Sequence, residues 1–118
     1  MKFTLWPFSR ERRGQSESVQ VRARFIRTDA VGKGDLRLRS PLCRLGRVPD
    51  NDLCFENDSV SGHHAEIYHL PDGSFQICDL GSTNGTCVNG QRIHNQVLHS
   101  GDIVELGEVR LHFRGEEG

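Results

Sequence analysis

From residue 19 onward, apolar and polar residues alternate singly along much of the chain. Val19, Val21, Ala23 and Phe25 alternate with Gln20, Arg22 and Arg24. A period of two predicts a strand with one buried face. Leu36 and Leu38 alternate with Arg37 and Arg39, Pro41 breaks that run, and Cys43 to Leu45 begins another. Leu53 and Phe55 flank Cys54, and Ala65, Ile67 and Tyr68 follow before the turn Pro71, Asp72 and Gly73. Residues 74–79 (SFQICD) pair back across that turn as a hairpin partner. Val97 and Leu98 precede the turn at Gly101 and Asp102, and Ile103, Val104 and Leu106 form a strand. Gly107 and Glu108 turn into a last strand over residues 109–113.

Turn chemistry punctuates these runs. Residues 29–35 (DAVGKGD) read as a turn. Asn84-Gly85 and Asn89-Gly90 are tight-turn signals, because glycine accepts positive φ without steric cost. No segment keeps a 3.6-residue period over about 11 positions, so almost no helix is expected. Roughly ten short strands separated by turns predict an all-β sandwich or barrel. The expected core is Leu45, Leu53, Phe55, Ile67, Phe75, Ile77, Leu80, Val88, Ile103, Leu106, Leu111 and Phe113.

Size bounds the rest. At 118 residues the chain makes one domain, with little room for a large cofactor cleft. Residues 1–18 read as a flexible arm with an apolar tip, residues 19–114 as the domain, and residues 115–118 as a short tail. No apolar run approaches the ~20 residues of a membrane span, and the start lacks the apolar core of a secretory signal. Cys43, Cys54, Cys78 and Cys87 form no C-x-x-C pair, which disfavours zinc, and reduced thiols in a cytoplasmic setting are expected.

The net charge of −1 conceals a split. Residues 1–47 hold 12 Lys/Arg against 4 Asp/Glu, a net of +8, and the remainder nets −9. Interleaved strands would mix those charges. A nucleic-acid footprint is not expected, since no groove-reading helix is visible.

Catalytic patterns are missing. The six histidines form no H-E-x-x-H, the carboxylates sit mostly at turns, and no G-x-S-x-G or phosphate-loop motif occurs. A cofactor-free binding module is expected rather than an enzyme. Three polar segments carry the candidate chemistry: Gly46 and Arg47; residues 59–64 (SVSGHH); and residues 81–86 (GSTNGT). Hydroxyls and backbone N–H groups suit phosphate oxygens, and an arginine supplies charge. An amide side chain both donates to and accepts from a peptide backbone.

The order and spacing of these segments resemble the forkhead-associated (FHA) domain family. The matching residues are Gly46-Arg47, Ser61-x-x-His64, the run DLGSTNGTCVNG over residues 79–90, Leu98-x-x-Gly101-Asp102 and Gly107. The resemblance covers nearly everything but the arm. It implies a sandwich of about eleven strands in two sheets, with binding loops at one end. It implies recognition of a phosphothreonine peptide downstream of a Ser/Thr kinase, without nucleic acid or membrane, and the short chain resembles bacterial members.

On this resemblance Arg47, Ser61 and Thr83 would hold the phosphate, and Asn84 would bond the peptide main chain. Ser82 and Gly62 lie in the same loops and are included in the binding set. Gly46, His64, Gly85, Asn89 and Gly90 would be structural. One departure stands out: the position after Ser61, often Arg or Asn in the family, is Gly62 here. That removes one side-chain phosphate contact. It also leaves open a phosphate-independent scaffold or oligomerisation module as the alternative function. Thr4 makes the chain's own phosphorylated arm a candidate ligand.

Overall fold

The computed structural model describes residues 22–29 and 34–115. The expected arm with Thr4, the start of the first alternating run, the middle of the 29–35 turn and residues 116–118 lie outside the described residues.

Eleven strands and no helix occur among the described residues. They are β1 (Ala23–Arg27), β2 (Gly34–Leu38), β3 (Leu42–Gly46), β4 (Leu53–Cys54), β5 (Ala65–His69) and β6 (Phe75–Asp79). β7 (Thr86–Val88), β8 (Gln91–Ile93), β9 (Asn95–Leu98), β10 (Ile103–Leu106) and β11 (Val109–Gly115) complete them. A six-stranded sheet runs β2-β1-β11-β10-β7-β8, and a five-stranded sheet runs β4-β3-β5-β6-β9. Every pair is antiparallel except β3 with β4.

The alternation read from the sequence becomes the two inner faces. Phe25, Val104, Leu106, Val109, Leu111 and Phe113 come from one sheet, and Leu45, Ala65, Ile67 and Ile77 from the other, all essentially inaccessible. Phe113 joins the layers. It faces Phe25 across the β1–β11 ladder, ring centroids 5.5 Å apart, and meets Phe75 of the other sheet at 5.4 Å, both edge-on. Edge-on rings place the positive rim of one on the negative face of the next.

Three expected core positions differ, two of them through strand parity and one through its place on an edge strand. Ile103 and Leu106 are an odd number of residues apart, so a regular strand cannot bury both. The register chooses Val104, opposite Leu111 and Val88, and leaves Ile103 only partly buried. Leu80 lies an odd step from buried Ile77 and is 42% exposed. Leu53 packs only partly, because β4 is a two-residue edge strand. Cys43 faces inward opposite Ile67 at 2% exposure. Burial pushes its thiol up to about 12, helped by the Asp52 charge, so it stays protonated and unreactive at neutral pH.

Antiparallel order puts the three polar segments at one end. Leu45 opposes Ala65, Ala65 opposes Asp79, and Leu106 opposes both Thr86 and Val109. The β3–β4, β4–β5, β6–β7 and β10–β11 connections therefore emerge together. The Asn89-Gly90 turn lies at the other end. Asn89 and Gly90 both have positive φ, 52° and 85°. The Asn89 carboxamide donates to Asp102 Oδ1 (3.0 Å) and accepts from the Ile103 N–H (2.9 Å).

Truncating the inter-layer ring tests this core. Phe113→Ala should cost about 3–5 kcal/mol, read as a lower urea midpoint.

Candidate functional site

The site begins with a close backbone approach. Gly46 ends β3 where the β4–β5 loop crosses it. A side chain at Gly46 would overlap the Gly62 carbonyl oxygen and come within 2.6 Å of Asn51 Nδ2. The glycine lets that carbonyl accept from the Arg47 N–H (3.1 Å), the Val48 N–H (3.3 Å) and Asn51 Nδ2 (2.7 Å). Asn51 Nδ2 also donates to the Val48 carbonyl at 2.8 Å, so this 7%-exposed side chain stitches the β3–β4 loop to the β4–β5 loop. Its Oδ1 is buried without a partner.

Arg47 follows Gly46 and is exposed. Its Nε donates to the Val60 carbonyl at 2.9 Å, and its backbone N–H also reaches the Ser61 carbonyl at 2.9 Å. Val60 is anchored by a side chain 1% exposed. The Nε bond fixes the plane of the guanidinium. Among the described residues no acceptor takes its two terminal nitrogens, and these form the fork that binds two oxygens of one anion.

His64 locks two loops. It is fully buried; Nδ1 accepts from the Ser61 N–H at 3.1 Å and Nε2 faces the Gly85 carbonyl at 2.9 Å. A backbone N–H on one nitrogen and a carbonyl on the other select the neutral Nε2–H tautomer. Gly85 itself has φ 89°, and the Arg92 side chain lies where a Cβ would project, 2.6 Å from its Nε.

Ser61 Oγ accepts from the Thr83 N–H at 3.0 Å. That bond occupies a lone pair and leaves the hydroxyl proton for an outside acceptor. Thr83 and Asn84 are both exposed. Asn84 Nδ2 donates to the Ser59 carbonyl at 2.9 Å, which fixes the carboxamide and leaves Oδ1 to accept from a ligand N–H. Ser59 is architectural: its hydroxyl donates to Asn57 Oδ1 (2.6 Å) and accepts from the Glu108 N–H (2.8 Å). No side chain is free at Ser59 to read a peptide residue.

The β6–β7 loop is organised by Asp79. One carboxylate oxygen accepts from the Ser82 (2.6 Å) and Thr86 (2.7 Å) hydroxyls, and the other from the Gly81 (2.9 Å) and Ser82 (3.1 Å) N–H groups. Burial raises the Asp79 pKa, but these donations from Ser82, Thr86 and Gly81 outweigh it and hold the carboxyl below 3.8. Ser82 therefore departs from the expected binding set. It is 8% exposed, and its hydroxyl donates to Asp79 and accepts from the Gly85 N–H at 3.0 Å. Gly62 contributes a backbone N–H with no acceptor among the described residues. His63 turns to Asp50, 3.1 Å away.

Arg47, Ser61, Gly62, Thr83 and Asn84 thus lie in neighbouring loops at one end of the fold, cross-linked by these bonds. Sequence reasoning assigned no role to Asn51, Asn57 or Asp79. Asn51 sits in the run VPDND, where an asparagine reads as a turn residue. Asp79 was visible in the motif, three residues before Ser82, but its fourfold acceptor role needs the folded loop.

The FHA domain family model matches residues 43–107, and this chain belongs to that family. It is 43% identical over 76 residues to an oxoglutarate dehydrogenase inhibitor of Corynebacterium diphtheriae, covering 64% of this chain and 52% of that protein. It is also 43% identical over 76 residues to the glycogen accumulation regulator GarA of Mycolicibacterium smegmatis, covering 64% and 48%. The chain spans about half the length of these relatives. A structure from work on phosphothreonine-dependent FHA domain interactions superposes with a TM-score of 0.74 at 28% identity, covering 81% of this chain and 98% of that one.

Asp79→Asn replaces two lone-pair acceptors by an NH₂ group facing donors. It should cost about 1–3 kcal/mol. The depressed folded pKa means the carboxylate's stabilisation is present above the unfolded value and lost as pH falls through the folded one. The gap between wild type and Asp79→Asn in chemical denaturation should be full near neutrality and shrink as pH falls below 3.8. A gap independent of pH contradicts the assignment.

Proposed function

We propose that this chain is a phosphothreonine-peptide-binding interaction module. The observation that carries this reading is one surface with a guanidinium whose fork is free, a serine hydroxyl with its proton free, and a carboxamide fixed with its oxygen outward. Arg47 supplies the charge and two parallel donors for a phosphate dianion. Ser61 and the Gly62 N–H donate to further oxygens. Thr83, exposed beside Ser61, flanks the phosphate, and Asn84 Oδ1 accepts a main-chain N–H of the peptide. Reading the peptide by its backbone requires few side-chain pockets. Membership of the FHA family and likeness to a phosphothreonine-dependent domain support the same reading, and a Ser/Thr kinase would act upstream.

Across residues 47–52, 55–64 and 80–85, Arg47 is the only lysine or arginine. Its removal leaves these three stretches without a lysine or arginine. Isothermal titration with a degenerate phosphothreonine peptide library should give binding to wild type and none to the unphosphorylated library. Arg47→Ala and Asn84→Ala should each abolish it while the circular dichroism spectrum stays that of the folded wild type. Normal binding by both variants rejects this site.

Gly62 provides a gain-of-function test. A side chain there meets only Val48 Cγ1, at 3.4 Å, and its φ lies outside the left-handed region. Gly62→Asn therefore fits without strain and restores a phosphate donor. A charge-assisted hydrogen bond contributes about 1.5–3 kcal/mol, so affinity should rise roughly tenfold or more. Unchanged affinity would show that the Gly62 position does not face the phosphate.

A further inference from the structure

Three arginines stand abreast on the outer face of the six-stranded sheet. Arg24 in β1 lies directly opposite Arg37 in β2 and Arg114 in β11. All three are exposed, as is Arg39 just beyond β2. The alternate residues Ala23, Phe25, Leu38 and Phe113 are buried, so strand parity turns the arginines outward. Strands are about 4.8 Å apart, so the three occupy a band roughly 10 Å wide. β11 starts beside the Gly107 turn at the loop end, so Arg114 lies toward the end away from Arg47 and Asn84.

This row is unfavourable in the isolated domain. Like charges directly opposite destabilise a sheet. Asp35 lies 3.5 Å from Arg24 Nε, a solvent-exposed pair of little strength. Among the described residues no carboxylate pairs with Arg37 or Arg114. An anionic occupant would remove the repulsion and gain charge-assisted contacts from each guanidinium.

The chemistry narrows the occupant. Nucleic-acid affinity grows with the number of phosphates neutralised, and this band supplies only three or four cations. A membrane surface would favour an apolar side chain beside the cations. The exposed large hydrophobics among the described residues are Tyr68, Leu80 and Val97, none of which belongs to this sheet. A short run of carboxylates matches a band of three or four arginines. We infer that this face docks an acidic segment of a partner protein, separately from the phosphate-binding loops.

The probe is a fluorescein-labelled peptide of ten glutamates, followed by anisotropy at low salt with the full chain. Wild type should bind it, with affinity falling as salt rises. The combined variant Arg24→Gln, Arg37→Gln, Arg114→Gln should bind at least about tenfold more weakly and melt no lower than wild type, since repulsion is relieved. Arg37→Gln alone, on an edge strand, should show a smaller loss in the same direction. Excess phosphothreonine peptide of neutral flanking sequence should not displace the probe, so this result stands or falls apart from the phosphate-site reading. Equal binding by wild type and both variants overturns the inference. So does displacement by the phosphopeptide, or tighter binding of a DNA duplex or phosphatidylserine vesicles than of the glutamate peptide.

Discussion

The buried imidazole of His64 ties the β4–β5 and β6–β7 loops together. Its nitrogens have opposite roles, one accepting from Ser61 in the β4–β5 loop and one donating to the Gly85 carbonyl in the β6–β7 loop. Because the side chain is fully enclosed, both bonds operate where water cannot replace them. Ser61 is thereby held where its hydroxyl meets the Thr83 N–H. Without this bridge the loops would be joined chiefly by exposed contacts such as Asn84 to Ser59. A histidine is the one side chain that combines a ring-nitrogen acceptor and an N–H donor on opposite sides of a flat body.

The second constraint is negative: position 46 carries no side chain, which leaves a space at the end of β3. That space admits the Gly62 carbonyl with its three donors, from Arg47, Val48 and Asn51. Fixing this carbonyl inward sets the direction of the loop backbone around Gly62. Arg47 benefits twice, since its main chain is tied to that carbonyl and its Nε to Val60. The fork is thus oriented in advance, which in the proposed complex lowers the ordering entropy that binding must overcome.

Much of this was legible in the sequence because strand alternation and glycine-asparagine turns are local signals. Phe25, Ile77, Leu111 and Phe113 were readable from period two, and the DLGSTNGT run from its own residues. What escaped depends on partners distant in sequence. The choice of Val104 over Ile103 is made by pairing with β7 and β11. Val60 sits in a loop, where no period marks burial, yet it is 1% exposed. Asn51 acquires its role only through carbonyls at positions 48 and 62. Ser82 looked like one more exposed hydroxyl until Asp79 was seen to claim it.

Charge follows the same logic of placement over count. The basic first half contributes one guanidinium to the binding loops and sends others to the far face of the six-stranded sheet. A dianion held by one arginine and neutral donors loses proportionately more when a single donor is missing. Glycine at position 62 removes one such donor but keeps its backbone N–H in place. A missing peripheral contact acts mainly on dissociation, because encounter is set by diffusion and long-range charge. In the proposed complex, a loss of about 1.5 kcal/mol then shortens the lifetime roughly tenfold while leaving the selection for phosphate assigned to Arg47 intact. In the proposed site, recognition and residence time are therefore separated: the first rests on the one arginine these loops carry, and the second on a position where the chain carries no side chain at all.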